Sequence, residues 1–361
     1  MKSDIYQTII KPSVNKLAFI DIDNTLTANP WETNEKDLLD KKLSNQAIDL
    51  LQKFGYLCIL NTSRTEEMCM SSTQFLLSQK KYNFKRPKPQ IGMTQQGKRF
   101  YAKPEDIYPC KLLDHPIIIS SSGAKISVLQ KKGGYQEDTD FYPSDFPDPG
   151  SWRKDIILQL ATIKKRVPFM YAPIESEDAF IEQKTDVYPP DYRLQLSFHS
   201  VYDLIDFAQE SKEQKCNFFL TNDSDPDKHS FILYITPKTG KFEAIEHIMA
   251  HLAGRESLEI LFIGDSWPDF EAGMHNFTHF KAKKTVLLVG GSRLFPYLTD
   301  SNKNNFAGID LAFIKNQLSP SGQTGIFTYT DAKTNDISTV IVSDLAYPKA
   351  IGPKSIVEYL S

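Results

Sequence analysis

Cysteine is scarce in this chain: Cys58, Cys69, Cys110 and Cys216 are the four among 361 residues, with no CxxC spacing between any two. Neither a disulfide framework nor a thiolate zinc site is suggested by that pattern, and a reducing cytosol fits. Long apolar runs are also missing. No stretch reaches the roughly 20 residues that a membrane-spanning helix needs. The segment from Met1 to Lys16, with Lys2, Asp4, Lys11 and Pro12, lacks the apolar core of an ordinary signal peptide. A soluble, cytoplasmic protein with no membrane partner is the expectation. Charge of one sign is not in excess either: 42 Lys and Arg stand against 45 Asp and Glu, with a pI near 6.2. A surface given over to nucleic acid is therefore not expected, and any polyanion binding is local. With 40% hydrophobic and 24% charged residues the composition is that of a globular protein long enough for two domains. No internal repeat or low-complexity tract stands out.

What is present is a series of short apolar runs bounded by turn residues: Leu17–Ile20, Leu57–Leu60, Pro116–Ile119, Ile260–Ile263, Thr285–Val289 and Thr339–Val342. Continuous runs of this length read as strands buried on both faces of a parallel sheet. Helix-like patterns, such as Asn45–Phe54 and Phe242–Leu252, lie between several of them. The predicted fold is α/β, a doubly wound parallel-sheet core of the Rossmann-like kind. From about Ser127 to Thr236 the texture changes, because Leu194, Leu196 and Phe198 alternate with Gln195 and Ser197, as in a sheet with one wet face. This predicts an inserted α+β domain over 127–236, dividing a core made of 12–126 and 237–361. Trp152–Arg166 reads as one of its helices and Phe231–Ile235 as one of its strands.

The candidate polar groups sit where these strands end. Asp21 and Asp23 follow the first run, Asn61-Thr62-Ser63-Arg64 the second, and Gly264-Asp265-Ser266-Trp267-Pro268-Asp269 the run Ile260–Ile263. Open α/β sheets bind ligands at the carboxyl ends of their strands. Carboxylates at i and i+2 of an extended chain point to one side, so one can attack while its partner moves a proton. Four carboxylates on one edge repel unless a cation compensates them, and oxygen-only donors favour a hard ion, which implies Mg2+. Each residue also has a plain reading. Asp and Asn are common in Asx turns, Thr62 can cap a following helix, and Ser266-x-x-Asp269 with Pro268 is a capping-box pattern. Lys241 is harder to dismiss, because a cation in the first turn of a helix opposes the macrodipole unless an anion faces it.

In their order along the chain, DIDNT at 21–25, Thr62, Lys241 and GDSWPD at 264–269 resemble the four motifs of the haloacid dehalogenase (HAD) superfamily. The resemblance implies that Asp21 is the nucleophile that becomes an aspartyl-phosphate and that Asp23 is the general acid and base. It implies that Thr62, Ser63 and Lys241 hold the phosphoryl oxygens, and that Asp265 and Asp269 bind Mg2+ with Asp21 and the backbone carbonyl of Asp23. Pro268 departs from the pattern, since many members carry Asn there. An insertion between Thr62 and Lys241 is where the superfamily places C2-type caps, and Ser122-Gly123-Ala124 is similar to the start of such a cap. Within that group the chain looks most like the sucrose-phosphatase and Cof-type branch. The implied activity is Mg2+-dependent hydrolysis of a small phosphorylated metabolite, such as a sugar phosphate. A phosphomutase of the phosphomannomutase kind, or a non-catalytic binding protein on the same fold, are the alternatives.

Weaker signals remain. His247 and His251, like His275 and His279, have the i, i+4 spacing of two ligands on one helix face, but with no third ligand or HExxH glutamate in the sequence they read as ordinary helix residues. Asp223, Asp225 and Asp227 begin like a calcium loop without its Gly and distal Glu, and read as a solvated turn. The segment Lys80–Lys103 is basic, with interleaved aromatics, and reads as a solvated insertion rather than a polyanion grip. Arg193, Gln195, His199 and Lys228 are candidates for substrate hydroxyl contacts.

Overall fold

The computed structural model describes residues 5–6, 9–11, 13–26, 41–64, 90–93, 99–102, 115–130, 134–172, 191–224, 231–238, 240–251, 258–275, 277, 282–293, 318–330, 335–348 and 350–361. Its centre is a ten-stranded sheet. Strands β1 (Lys16–Ile20), β2 (Leu57–Asn61), β5 (Ile117–Ser120), β12 (Leu258–Gly264), β13 (Ala282–Leu288) and β16 (Ile337–Val342) run parallel in the order β16-β13-β12-β1-β2-β5. Antiparallel strands finish both sides: β15 (Ile326–Thr330) and β14 (Leu318–Pro320) at one, β6 (Lys125–Leu129) and β7 (Tyr135–Glu137) at the other. A separate hairpin pairs β3 (Gln90–Met93) with β4 (Arg99–Ala102).

Alternation along β1 explains the layering. Leu17 and Phe19 pack into the cluster on one face, while Ala18 and Ile20 pack into the cluster on the other. The first face is covered by helices α4 (Lys241–Ala250) and α5 (Trp267–Met274), through Ile245, Ile248, Met249 and Phe270. The second is covered by α1 (Lys41–Lys53) and α6 (Pro353–Leu360), through Ala47, Ile48, Leu51 and Ile356. This is the doubly wound α/β arrangement that the apolar runs predict. Each fully buried Leu or Ile in these clusters contributes about 1.5–3 kcal/mol.

A second sheet, all antiparallel, has the order β10 (Phe219–Asn222), β11 (Phe231–Thr236), β9 (Leu194–Phe198), β8 (Met170–Ala172). Helices α2 (Pro149–Lys164) and α3 (Val201–Glu213) join it in a cluster of their own, with Trp152, Leu160, Leu196, Phe207 and Leu233. The opposite face is wetter, as the alternation in β9 predicts. The near boundary of this unit differs from expectation: a division after residue 126 cuts through β6. Residues Lys125–Leu129 and Tyr135–Glu137 complete backbone ladders of the large sheet, so they belong to it. Chain texture misses this because β7 is short and only partly buried, and because the pairing of β6 with β5 is a contact across the sheet that local pattern does not record.

Most of the basic segment Lys80–Lys103 and the stretch 294–317 lie outside the described residues, as do Cys69, Cys110, Asp225, Asp227, Lys228 and His279. Cys58 and Cys216 are free thiols. Among the described residues no helix is long and apolar enough to cross a membrane.

Candidate active site at the ends of three parallel strands

The chain passes from β1 to β2 on one side and returns later as β12 on the other, so strand order reverses at β1. In open α/β sheets the crevice at that switch point is where ligands bind. Register puts the relevant residues level: Ile20 is opposite Ile263 on one side and Leu60 on the other. Asp21, Asp265 and Thr62 therefore leave the sheet together at one edge.

Three carboxylates meet there. Asp21, Asp265 and Asp269 are buried, and each offers an oxygen within 4.8 Å of the other two. Lys241 lies among them, with Nζ donating to Asp269 Oδ1 at 2.5 Å and to Asp21 Oδ1 at 3.2 Å. This answers the question posed by a lysine in the first turn of a helix, since the facing carboxylates offset its clash with the dipole. Burial pushes the Asp21 carboxyl well above the usual range and Lys241 pulls it back. The nearby Asp269, Asp265 and Asp23 push it up again. Burial alone would lower the Lys241 pKa, but Asp21 and Asp269 outweigh it and hold the ammonium protonated well above the ordinary lysine range.

Two close approaches explain the glycines around this group. A Cβ on Gly264 would lie 2.2 Å from Asp269 Cγ, so only glycine lets the carboxylate fold back against the end of β12. The turn Ser121–Gly123 places its glycine, at φ +94, against the residue before Lys241: a Cβ there would lie 2.3 Å from the Gly240 carbonyl oxygen. Ser121 and Ser122 in that turn adopt left-handed φ of 56 and 57 degrees. Strain of this sort clusters at functional sites, where surrounding contacts must hold it.

The capping-box reading of Ser266 and Asp269 is not what forms. The Ser266 hydroxyl makes no bond to the helix backbone but donates to Asp269 Oδ2 at 2.8 Å, which leaves Oδ1 to Lys241. Asn24, at φ 54, donates from Nδ2 to Asp265 Oδ2 at 3.0 Å. Asp23 is less enclosed than Asp21 and is gripped by Arg64, which donates from Nε to Oδ2 at 2.7 Å and from Nη2 to Oδ1. Thr62 is buried, and its hydroxyl oxygen accepts the Arg64 backbone N–H at 3.2 Å. Ser63 takes part through its main chain, its carbonyl accepting from Arg193 Nη1.

Arg193 brings in the second sheet. Its guanidinium lies 4.9 Å from the centroid of the Tyr234 ring. Its own backbone is held by Arg153, which donates to the Arg193 carbonyl at 2.8 Å. Tyr234 hydrogen-bonds Asp223 and senses the charge of Asp23, while Asp223 senses Lys241 and Asp269. Burial pushes the Asp223 carboxyl up to about 6. Across the sheet, Tyr234 is in register with Gln195 and Thr221, so these side chains share the face turned away from α2 and α3. Asp223 thus departs from the solvated turn that its spacing suggests: it stands at the end of β10, turned toward the core's charged groups. Sequence reading misses it and Tyr234, because Tyr234 stands in a strand whose residues 233–236 are all buried, so no alternation marks its hydroxyl. His199 is exposed beyond β9.

The donor set fits a hard divalent cation. Asp21, Asp265 and Asp269 supply only oxygens, and three buried carboxylates against one ammonium leave negative charge in excess.

No family model matches the sequence, and no curated protein matches it. Solved structures are similar in fold, haloacid dehalogenase-like hydrolases among them. A sucrose-phosphatase from Synechocystis sp. PCC6803, in complex with sucrose and phosphate, is 11% identical with a TM-score of 0.44, covering 81% of this chain and 90% of its own. A haloacid dehalogenase-like hydrolase from Bacteroides thetaiotaomicron is 11% identical with a TM-score of 0.42, covering 81% of this chain and 91% of its own. One from B. subtilis is 14% identical with a TM-score of 0.41, covering 81% of this chain and 97% of its own. Overlaps this shallow decide nothing about activity, which the chemistry of the site itself has to carry.

Proposed function

We propose that this chain is a phosphomonoester hydrolase of the haloacid dehalogenase superfamily, acting through an aspartyl-phosphate on a small phosphorylated metabolite such as a sugar phosphate. One observation carries the reading: a buried carboxylate at the topological switch point, Asp21, is flanked by a buried ammonium and two further carboxylates. Such a group is suited to attack an anionic phosphorus centre once positive charge is gathered around it. Asp21, Asp265 and Asp269, with the backbone carbonyl of Asp23, would hold Mg2+. Bound there, the ion would neutralise phosphoryl charge.

The remaining steps belong to the chain's own residues. The Asp21 carboxylate attacks phosphorus, the ester P–O bond breaks, and Asp23 gives the departing alkoxide its proton. Asp23 then takes a proton from water, whose oxygen attacks the phosphorus of the acyl phosphate. Inorganic phosphate leaves and the Asp21 carboxylate returns. Lys241 and Thr62 orient the phosphoryl oxygens beside Asp21, with Ser63 next to them on the same loop. Arg64, which grips Asp23, must release part of that hold for the proton transfer.

The four-stranded sheet serves as the cap in this reading, with its division from the core at the segment that follows β7. Arg193, Tyr234, Gln195 and Asp223 are the groups placed to meet the substrate beyond its phosphate. Buried polar groups left without a substrate hydroxyl lose their partners, so a pocket of this kind discriminates strongly.

The test is phosphate release across a panel of sugar and polyol phosphates, with Mg2+ and with excess EDTA. Turnover that needs Mg2+, and that falls by at least about a thousandfold in Asp21→Asn while the fold is kept, is the expected result. Full activity in EDTA, or more than about 1% of kcat in Asp21→Asn, overturns the assignment. Interconversion of phosphate isomers with no phosphate released would identify a mutase instead.

A further inference from the structure

The far end of α4 carries a second cluster that the proposed reaction does not use. His247 and His251 project from that helix one turn apart, and the sequence shows no third ligand for them. The structure supplies one from 109 residues away: the Asp138 Oδ2 atom lies 2.8 Å from His247 Nε2. One ligand atom each from Asp138, His247 and His251 lies within 4.8 Å of the others. Bonds of about 2.0–2.2 Å in a tetrahedral zinc site place ligand atoms roughly 3.4 Å apart. The three ligand atoms lie close enough together to share one ion of that size.

The surroundings support ligation. Asp138, just past β7, is buried and its carboxylate is already oriented: the Tyr6 hydroxyl donates to Oδ2 at 2.6 Å and the Asp140 N–H to Oδ1 at 3.0 Å. Aromatic rings set the imidazole planes, with Tyr6 4.2 Å from the His251 ring and Phe141 5.2 Å from the His247 ring, centroid to centroid. Outer contacts of this kind are what orient metal ligands elsewhere. Asp138 is buried, His247 partly buried and His251 exposed, which leaves an open side for the ion to enter and for a fourth ligand from solvent.

We propose that Asp138, His247 and His251 form a second metal site, for Zn2+ rather than Mg2+, that clasps α4 to the β7 edge of the large sheet. Two imidazoles and one carboxylate are a borderline donor set, which suits zinc, whereas the oxygen-only cluster around Asp21 suits a hard ion. The clasp joins the turn after β7 to the helix whose first residue is Lys241, and Tyr6 ties in the N-terminal segment by its bond to Asp138.

The test is titration of full-length, chelator-stripped protein with Zn2+ in excess Mg2+, followed by calorimetry, with Co2+ as a spectroscopic probe. The expected result is one Zn2+ per chain, a Tm raised by several degrees, and visible absorption from four-coordinate Co2+. His251→Ala, at an exposed position, and His247→Gln should each weaken Zn2+ binding at least tenfold and abolish the Co2+ signal, with unchanged circular dichroism. Asp265→Asn should leave both unchanged. No Zn2+ uptake by the unaltered protein, or equal uptake by His251→Ala, overturns the proposal. Uptake that survives His251→Ala but is lost in Asp265→Asn assigns the ion to the Asp21 cluster and also overturns it.

Discussion

The two sheets bring different kinds of chemistry to one place. The ten-stranded sheet presents groups at strand ends, so three neighbouring parallel strands deliver Asp21, Thr62 and Asp265 to the same level. Its charges are buried and answer one another, with Lys241 bonded to both Asp21 and Asp269. The four-stranded sheet presents groups on a face. Gln195, Tyr234 and Thr221 lie in a row because its strands pair antiparallel, and Arg193 and Asp223 flank that row at strand margins. Strand ends concentrate charge on a point, whereas a sheet face spreads polar groups over an area. The first arrangement suits a phosphoryl group and the second a varied remainder of the substrate.

The sharpest way to break this division is to remove the cation on the core side. Lys241→Met leaves Asp21 and Asp269 buried without their partner, a change that typically costs about 3–5 kcal/mol. Urea unfolding should show that loss, and added Mg2+ should restore part of it. Turnover should fall by at least about a thousandfold on every substrate, because the cation acts on the group common to all. Unaltered stability in Lys241→Met would mean that the buried pairs do not form.

A smaller and selective effect is expected from the other sheet. Arg193→Met and Tyr234→Phe should each change kcat/KM for the preferred sugar phosphate by about tenfold or more. Hydrolysis of p-nitrophenyl phosphate, which has no hydroxyls to read, should change by less than about threefold. Equal losses on both substrates would show that Arg193 acts through its bond to the Ser63 carbonyl and hence on the core.

A further expected effect on the same sheet is read in stability against pH. Asp223 has its folded pKa raised from 3.8 to about 6. The folded protein therefore holds a proton that the unfolded chain releases, and stability falls as pH rises from about 4 to about 6. Asp223→Asn removes that slope. The variant should match the parent near pH 4 and exceed it near pH 7, by at most about 3 kcal/mol. A parent that is no less stable at pH 7 than at pH 4.5, relative to the variant, would place Asp223 in open solvent.

By itself the sequence determined the parallel core and the strand-end groups. Parallel strands buried on both faces must be continuous apolar runs, and the polar residue that ends each run must emerge at the sheet's edge. Asp21, Asp23, Thr62, Asp265 and Asp269 were legible for that reason, and Lys241 because its place at a helix start demands an anion. Tertiary structure alone decided which partners these groups take. That Ser266 bonds the Asp269 side chain, that Arg64 grips Asp23, and that the large sheet continues through β6 and β7 depend on contacts between residues far apart in the chain. The same holds for Asp223, which a local reading sends to solvent, and for Asp138, brought to His247 and His251 by the sheet and helix that carry them. Periodicity records which side of an element is buried, but not which element lies against it.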